Sequence, residues 1–322
     1  MAVCEKIRLL AIVGPTASGK TSLSVSLAER LGGEIVSCDS MQVYCGMNIG
    51  TAKPTVDERR GIPHHMIDVA DPHIPYSAAE YVFAAGACIS DIHARGKLPI
   101  LCGGTGMYLD SLLRGGFEET ATDPALRQSL LAFAEAHGAH ALHERLRAVD
   151  PESADAIHEN NIKRVVRALE IYESTGITKT ESDKRSRESK SPYRAAVIGL
   201  DYPDREILYG RIARRVETMF SDGLIEETRA LDVEGVFASN ATAAQAIGYK
   251  ELLPYLRGEC TEVQAKETLI TATRRYAKRQ MTWFRAKAYV HWISMMRETS
   301  LRPLSEVLDE AVAYCDSELS IL

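Results

Sequence analysis

The sequence predicts an α/β fold, a P-loop NTPase-like parallel sheet core that carries a helical insertion domain. Short apolar runs typical of buried parallel strands occur in both halves of the chain and alternate with helical patterns. The first run leads directly into residues 14–21, which fit the phosphate-loop pattern G-x-x-x-x-G-K-S/T. Between the two sets of strands, residues 123–175 carry helical patterns and no strand-like run, which predicts the insertion.

The phosphate loop is expected to join a strand over residues 9–13 to a helix over residues 21–31. A helix N-terminus offers backbone N–H groups and the positive end of the helix dipole, so it favours a bound anion. We expect Lys20 to reach the terminal phosphate, and the Thr21 hydroxyl suits a magnesium ion. The predicted diphosphate- or nucleotide-binding residues are Gly14, Pro15, Thr16, Ala17, Ser18, Gly19, Lys20 and Thr21.

The other core elements are predicted from the same patterns. Ser77 and Glu80 have capping-box spacing, which marks the start of one helix. The predicted core strands are residues 9–13, 34–37, 65–69, 97–102, 195–200 and 288–293. The predicted core helices are residues 21–31, 78–95, 107–113, 205–220 and 224–232, and a long helix from about residue 263.

Asp39 follows the second predicted strand. Because α/β folds bind ligands at the carboxyl ends of parallel strands, we expect Asp39 to lie beside the phosphate loop, although an Asp here also suits a cap or turn. Residues 48–54 are predicted to form a loop in which Lys53 either contacts a phosphate or is solvated. Gly103 and Gly104 end another strand, where glycines allow a ligand to approach the backbone closely.

Two motifs of ordinary nucleotide hydrolases are missing from the sequence. Many P-loop NTPases carry an acidic residue for magnesium at the strand end where this chain has Gly103 and Gly104. The guanine-specific N-K-x-D motif is also absent. The sequence therefore argues against nucleotide hydrolysis as the main activity.

Composition sets limits on the class of protein. Hydrophobic residues make up 45% of the chain and charged residues 25%, as in ordinary globular proteins. No apolar run approaches the ~18 residues of a membrane span, and no signal-peptide core precedes the first strand. We therefore expect a cytoplasmic protein without a membrane partner. A monomer is expected as well. The seven cysteines include no C-x-x-C pair, which argues against a disulfide framework or a zinc site.

Changes in pattern define the predicted domains. Within the insertion, Asp123 and Asp150, each before a proline, begin helices, and an amphipathic helix follows Asn161. The basic segment 184–190 lacks apolar residues and is predicted to be a mobile loop. The domain assignment is a catalytic core at residues 1–117 and 195–297, a helical insertion at 118–194, and a peripheral C-terminal tail at 298–322.

Basic residues cluster locally although the net charge is −6. Lys163, Arg164 and Arg167 lie near one another on the amphipathic helix, as a solvated surface or as a footprint for phosphates. The long helix from about residue 263 combines basic residues with Trp283 and Phe284, a mixture that suits nucleic acid because rings stack on bases.

Together these motifs resemble the tRNA dimethylallyltransferases, also called tRNA isopentenyltransferases. The resemblance covers residues 9 to about 293, and the combination is far more specific than the phosphate loop alone. The matching segments are residues 14–21, 39–44, 49–54, 63–65, 103–108 and 278–285.

The resemblance implies transfer of a dimethylallyl group from dimethylallyl diphosphate to N6 of adenine 37 of tRNA, with release of diphosphate. Asp39 would take the proton of the adenine amine as general base. Thr16, Lys20 and Arg215, together with Mg²⁺ near Thr21, would stabilise the charge on the leaving diphosphate. The helical insertion would grip the anticodon stem-loop.

The family positions also imply a set of tRNA contacts. In the insertion, Asn161 to Arg164 depart from the more usual family version, which leaves the individual contacts there open. The implied tRNA-binding residues are Asp39, Ser40, Met41, Gln42, Thr105, Arg127, Ile162, Lys163, Arg164, Val165, Val166, Gln245, Gly248, Tyr249, Lys278, Arg279, Gln280, Met281, Thr282, Trp283, Phe284 and Arg285.

Three other functions are consistent with a phosphate loop. A small-molecule kinase would share the loop and Asp39 but would not need the insertion or the basic aromatic helix. A nucleotide-dependent RNA-binding switch would need a base-reading motif, which the sequence lacks. An adenylate isopentenyltransferase that acts on free AMP or ADP would have less use for an insertion.

Overall fold

The computed structural model describes residues 6–115, 123–188 and 190–320. The chain forms two compact units. The core unit comprises Met1–Leu113 and Pro192–Leu322, and the helical unit comprises Arg114–Ser191.

A six-stranded parallel sheet forms the centre of the core unit, with the strand order β3-β2-β4-β1-β5-β6. In β1, Leu10 lies opposite Ile100 of β4 and Ala196 of β5. The strands are β1 (Ile7–Val13), β2 (Gly33–Cys38), β3 (His64–His65), β4 (Leu98–Gly103), β5 (Tyr193–Asp201) and β6 (Val290–Ser294). A small antiparallel hairpin follows, formed by β7 (Met296–Arg297) and β8 (Ser300–Leu301).

Fourteen α-helices accompany these strands in the part of the chain that the structure describes, together with a 3₁₀ turn at Ala243–Gln245. They are α1 (Lys20–Leu31), α2 (Val56–Arg59), α3 (Ala78–Ala94), α4 (Gly106–Leu113), α5 (Pro124–Val149), α6 (Pro151–Ala156), α7 (Ile162–Thr175), α8 (Lys179–Glu188), α9 (Arg205–Ser221), α10 (Leu224–Val233), α11 (Val236–Ser239), α12 (Leu253–Leu256), α13 (Glu262–Arg285) and α14 (Leu304–Leu319). None of the helices described has the length and apolar character that a membrane span requires.

Both faces of the sheet are buried, which explains why its strands are continuous apolar runs. Successive side chains of β1 point to opposite faces: Leu9 and Ala11 belong to one apolar cluster, and Leu10 and Ile12 to the other. Helices α3 and α4 contribute to the first cluster, and α1 and α14 to the second. The carboxyl ends of the parallel strands thus lie at one edge of the sheet. There β1 leads into the phosphate loop, β2 into the segment at Asp39 and β4 into the segment at Gly104.

The C-terminal segment is not peripheral, contrary to prediction. Val307, Ala311, Cys315 and Leu319 of α14 are buried in the same apolar cluster as α1 and β1. These residues recur at helical spacing and form one apolar face, which the sheet needs to cover that side.

Two further predictions of local structure are wrong. The third strand ends at His65, because Met66 and Asp68 adopt left-handed backbone with φ of 61° and 56° and cannot continue an extended strand. The basic segment predicted as a mobile loop is instead part of α8 as far as Glu188. Ion pairs one helical turn apart, including Arg185 with Glu181, stabilise this polar helix.

The helical unit has its own small core. Helix α5 bends at Gly138, where φ is 86°, and packs with α7. Leu130, Leu142, Val165 and Leu169 are buried in the shared cluster. This core explains the amphipathic pattern of α7, because its apolar residues face inward while Lys163 and Arg164 are exposed.

Candidate active site

The phosphate loop lies between β1 and α1, as predicted. Ala17 and Gly19 adopt left-handed backbone with φ of 62° and 93°, which turns the chain sharply into the helix. Gly19 occupies the N-cap position of α1 and provides no side-chain cap. The first N–H groups of a helix have no partner within the helix. This end of α1 can therefore donate hydrogen bonds to an anion.

Side chains from the segment just after β5 and from α9 hold the loop by its carbonyl groups. The Tyr202 hydroxyl donates to the carbonyl oxygen of Ser18 at 2.8 Å, and Arg211 Nε donates to that of Ala17 at 2.7 Å. Because these bonds use carbonyl oxygens, they fix the loop without consuming the N–H groups at the end of α1.

Gln280 of α13 holds the loop from another direction. Its Oε1 accepts from the backbone N–H of Thr16 at 2.8 Å, and its Nε2 donates to the carbonyl oxygen of Gly104 at 3.1 Å. A Cβ at Gly104 would lie 1.9 Å from Nε2 of Gln280. The glycine at this strand end therefore makes room for Gln280, and not for a ligand as predicted.

Lys20 lies over the loop in a half-buried position. Its ammonium group donates to the carbonyl oxygens of Gly14 and Pro15 at 3.0 and 2.7 Å. Burial lowers the pKa of Lys20 to about 8, and the nearby Arg215 charge contributes to the same shift, while Cys102 and Asp39 oppose it. An anion bound at the loop would offset this unfavourable burial of positive charge.

Arg215 of α9 is the second half-buried cation of the site. Its Nη1 donates to the hydroxyl of Thr16 at 3.3 Å. Burial lowers its pKa, and the Asp39 carboxylate acts in the opposite direction. Two half-buried cations beside the first N–H groups of α1 create a preference for a polyanion.

Asp39 follows β2 at the same edge of the sheet. Its Oδ1 accepts from the backbone N–H of Met41 at 2.9 Å, which orients the carboxylate locally. The next residue is held from the β4 side, because Ser40 N–H donates to Thr105 Oγ1 at 3.1 Å. Asp39 thus lies beside Thr16 of the phosphate loop, as predicted, and the structure adds Thr105 to the same place.

Two cavities meet at this edge of the sheet. The larger, of about 1060 Å³, is lined by phosphate-loop residues, including Lys20 and Thr21. The smaller, of about 250 Å³, is lined by Asp39 and Thr16. Ala52, Arg215 and Met219 line both cavities. An anion at the loop and a second molecule beside Asp39 would therefore meet at these three residues.

Magnesium was predicted at Thr21. Among the described residues no group of three or more His, Cys, Asp or Glu side chains could hold a metal ion. The half-buried hydroxyl of Thr21 lines the larger cavity. Magnesium commonly takes few protein ligands, with phosphate oxygens and water completing its shell, so the residues present fit magnesium that arrives with a phosphate ligand.

Comparisons with known proteins agree with this geometry. A family model for IPP transferase matches residues 42–287, and one for isopentenyl transferase matches residues 7–71. The chain belongs to the IPP transferase family. Its curated relatives include a tRNA dimethylallyltransferase from Halalkalibacterium halodurans, 49% identical over 291 residues, 90% of this chain and 92% of the relative. Another, from Geobacillus kaustophilus, is 49% identical over 321 residues and 99% of both chains.

Solved structures give the same result. The tRNA isopentenylpyrophosphate transferase of Bacillus halodurans superposes with a TM-score of 0.71 and 44% identity, covering 98% of this chain and 99% of that one. A eukaryotic dimethylallyltransferase acting on tRNA superposes with a TM-score of 0.78 and 29% identity, covering 97% and 76%. The predicted family and the predicted P-loop-like α/β fold are confirmed.

Several residues that were expected to touch tRNA in this IPP transferase are buried and make contacts within the fold. Gln280 holds the phosphate loop, and Phe284 packs in the core cluster at 1% exposure. Tyr249 is fully buried, and Val165 and Val166 lie in the core of the helical unit. The family motifs around these residues contain both buried and surface positions, and the sequence pattern did not separate them.

Other predicted contacts are on the surface. On α13, Lys278, Arg279, Thr282, Trp283 and Arg285 are exposed, and Arg285 also pairs with Asp201 at 2.8 Å.

In the helical unit, Lys163 and Arg164 are exposed and Ile162 is half-buried. Arg127 is exposed but forms an ion pair with the fully buried Glu170 at 2.8 Å. Arg127 therefore also stabilises the fold of the helical unit.

Lys53 was predicted either to contact a phosphate or to be solvated. It is not solvated, but it lines the larger cavity, so the phosphate contact stays a prediction. Its side chain is buried, and its ammonium donates to the carbonyl oxygen of Tyr44 at 2.6 Å and to Asp68 at 2.5 Å. Lys53 therefore links Tyr44 to Asp68 and stabilises the segment that follows β2.

Sequence reasoning missed four residues of this region. The sequence places Arg211 near Arg215, four residues earlier on the same predicted helix, but indicates no role for it. Tyr276 lies four residues before Gln280 on α13 and lines the smaller cavity. Tyr202 and Glu227 are single polar residues outside any motif, and no local signal marked them.

Proposed function

We propose that this chain transfers a dimethylallyl group from dimethylallyl diphosphate to N6 of adenine 37 in tRNA and releases diphosphate. The observation that carries the proposal is the pair of cavities that meet at Ala52, Arg215 and Met219. One contains the phosphate loop and the other contains Asp39. Curated relatives with the name tRNA dimethylallyltransferase support the same enzyme class.

The larger cavity suits the diphosphate of the donor. Lys20, Arg211 and Arg215 line it together with the N-terminal turn of α1. As the bond between the allylic carbon and diphosphate breaks, negative charge grows on the leaving oxygen, and fixed cations stabilise that charge without rearranging. The Mg²⁺ ion would be held by Thr21 and by the diphosphate itself, and it would neutralise part of the same charge.

The smaller cavity suits the acceptor. An adenine in a folded stem-loop must leave its stack to enter such a site. Its amine is a weak nucleophile, so a base has to accept the proton as the new bond between N6 and the allylic carbon forms. Asp39 lines this cavity and supplies that base, and the proton of N6 passes to its carboxylate.

The rest of the tRNA needs a larger surface. We assign it to the exposed residues of α13, which include Arg279 and Trp283, and to the basic face of α7 in the helical unit. Basic side chains neutralise backbone phosphates, and an exposed ring can stack on a base. The cytoplasmic location and the monomeric state stay predictions.

The alternative functions are less well supported. A small-molecule kinase would not require the helical unit or the basic aromatic face of α13. An adenylate isopentenyltransferase would use the same two cavities on free AMP or ADP, but the curated relatives match over nearly the whole chain and have the name tRNA dimethylallyltransferase. Assays with AMP, ADP and an anticodon stem-loop as competing acceptors separate these functions directly.

Asp39→Asn tests the proposal. Asparagine keeps the shape and most hydrogen bonds but cannot accept the proton, so single-turnover transfer to an anticodon stem-loop should fall ~10²–10⁴-fold. Affinities for dimethylallyl diphosphate and for the RNA, measured separately, should stay near those of wild type.

Asp91→Asn, on the exposed face of α3, is the matched control and should leave the rate unchanged. Normal turnover by Asp39→Asn would exclude Asp39 as the base. A wild-type protein that prenylates no RNA, or that prefers AMP, would overturn the proposed function itself.

A further inference from the structure

The carboxylate of Glu227, on α10, is bound by three consecutive backbone N–H groups. Asn48 donates to it at 3.1 Å, Ile49 at 2.9 Å and Gly50 at 3.0 Å. The hydroxyl of Tyr249 donates to the same carboxylate at 2.7 Å. Four donors on one carboxylate form a strong set of charge-assisted hydrogen bonds.

These contacts shape residues 48–50 into a concave turn around a negative charge, which we call the 48–50 turn. Successive N–H groups that converge in this way make a site for an anion, and here the anion is a side chain of the same protein. Glu227 is half-buried, so its bonds to the turn are partly shielded from water.

Tyr249 also locks the turn sterically. A Cβ at Gly50 would lie 2.4 Å from Cζ of the Tyr249 ring, so the ring packs directly on the backbone of the turn. Burial and the adjacent Glu227 charge both raise the pKa of Tyr249, so its hydroxyl keeps its proton and remains a donor. The ring and the hydroxyl thus fix the same three residues.

The 48–50 turn and the two residues after it form the wall between the two cavities. Asn48 and Ile49 line the larger cavity, and Gly50 and Thr51 line the smaller one. Ala52 lines both. The wall is also tied to the segment after Asp39, because Gln42 Nε2 donates to the carbonyl oxygens of Thr51 and Ala52 at 3.2 and 3.1 Å.

We propose that Glu227, together with Tyr249, is a positioning residue for the transfer step. By fixing the 48–50 turn, it holds in place the wall between the two cavities. The allylic carbon of the donor and N6 of the acceptor must approach each other beside this wall. The inference rests on the proposed function, because only a reaction between two cavities needs such an alignment. Glu227 touches neither the phosphate loop nor Asp39 in the structure, so its effect passes through the turn.

Glu227→Gln is the first test. A carboxamide keeps the size of the side chain but offers one acceptor oxygen, and its NH₂ group faces the N–H groups of the turn. A loosened wall misaligns the two reactants, and a misplacement of ~1 Å can lower a rate ~10²-fold. We expect a fall of that size in the single-turnover rate at saturating donor and anticodon stem-loop.

Binding separates positioning from a merely structural role. The dissociation constants for dimethylallyl diphosphate alone and for the anticodon stem-loop alone should stay close to those of wild type. Glu226→Gln, the exposed neighbour on the same helix, is the matched control and should leave rate and binding unchanged. Rates are expressed per folded molecule, because a smaller amount of folded protein would otherwise be mistaken for a slower transfer step.

Tyr249→Phe provides a milder variant that retains the ring on Gly50. It should lower the rate less than Glu227→Gln, and the double variant should lose less than the product of the two single effects, because both act on one carboxylate.

Strictly multiplicative effects, an unchanged rate in Glu227→Gln, or a loss of donor or RNA affinity as large as the loss of rate would each overturn the inference. If wild type itself transfers no dimethylallyl group to RNA, the proposed function fails and the inference fails with it.

Discussion

The phosphate loop and the 48–50 turn both gather backbone N–H groups around a place for negative charge, yet they differ in what occupies it. At the phosphate loop, Gly19 caps α1 without a side chain, and neighbouring groups hold the loop by its carbonyl oxygens. At the 48–50 turn, Glu227 accepts from all three N–H groups. The phosphate loop leaves the N–H groups at the start of α1 for a ligand, although Gln280 binds the N–H of Thr16, whereas all three N–H groups of the 48–50 turn bind Glu227.

The difference shows how similar backbone geometry serves two purposes. An open turn beside the half-buried cations Lys20 and Arg215 favours a polyanion from solution. A turn filled by a carboxylate of the protein is rigid and binds nothing further, which is useful in a wall between two cavities. The two turns should therefore respond differently to substitution.

Among the substitutions at the two turns, Lys20→Ala should have the largest effect, because it weakens the open turn. Removing a cation that stabilises a leaving group in a shielded site lowers rates by about 10²–10³-fold. Donor affinity should fall together with the rate, whereas Glu227→Gln should lower the rate alone. Titration with dimethylallyl diphosphate and single-turnover transfer measure the two quantities.

Lys97→Ala, at an exposed site before β4, controls for the loss of a lysine. Kinetics of Lys20→Ala equal to those of wild type would exclude the phosphate loop from the reaction.

Gly50→Ala tests whether the filled turn is as closed as the structure indicates. The new Cβ would lie 2.4 Å from the Tyr249 ring, so the ring or the turn must move. Overpacking of this kind should lower the free energy of unfolding by ~1–3 kcal/mol, measured by urea denaturation.

Gly210→Ala is the matched control within α9, where no atom lies within 4 Å of the added Cβ. It should be neutral or should stabilise the protein by up to ~1 kcal/mol, because alanine favours a helix. Equal changes in the free energy of unfolding for the two substitutions would show that the 48–50 turn can accommodate a Cβ at Gly50.

The contrast between the turns also explains what the sequence could predict. The phosphate loop is a local motif, and Asp39 follows a strand whose apolar residues are contiguous, so both were found. Gln280 and Glu227 act on backbone groups 264 and 178 residues away. Each is one polar residue on a helix, and no periodicity or spacing indicates such a distant partner.

The errors in secondary structure have the same origin. Residues 65–69 have the composition of a strand, but the ion pair between Lys53 and Asp68 accompanies left-handed backbone at Met66 and Asp68. Helix α8 is stabilised by ion pairs and not by an apolar face, so a search for apolar residues took it for a loop. In each case the local structure comes with contacts between side chains, which a pattern of apolar residues does not indicate.

A pH titration gives the smallest expected effect. Burial lowers the pKa of Lys20 to about 8 in the free protein, so its charge is present below that pH and is lost as the pH rises through it. A bound diphosphate favours the charged form and raises this pKa. Donor affinity should therefore weaken above about pH 8, by at most about tenfold per pH unit, because one proton is linked to binding.

The stability of the free protein should change in the opposite direction. The unfolded chain keeps the Lys20 proton up to the ordinary pKa of 10.5, so between about pH 8 and 10.5 it binds more protons than the folded state does. The contribution of Lys20 to the free energy of unfolding must then rise with pH over that range. Other buried groups also titrate there, and the difference between wild type and Lys20→Ala isolates this one. Donor affinity and this difference moving in the same direction with pH would contradict a buried, anion-binding Lys20 at an open turn.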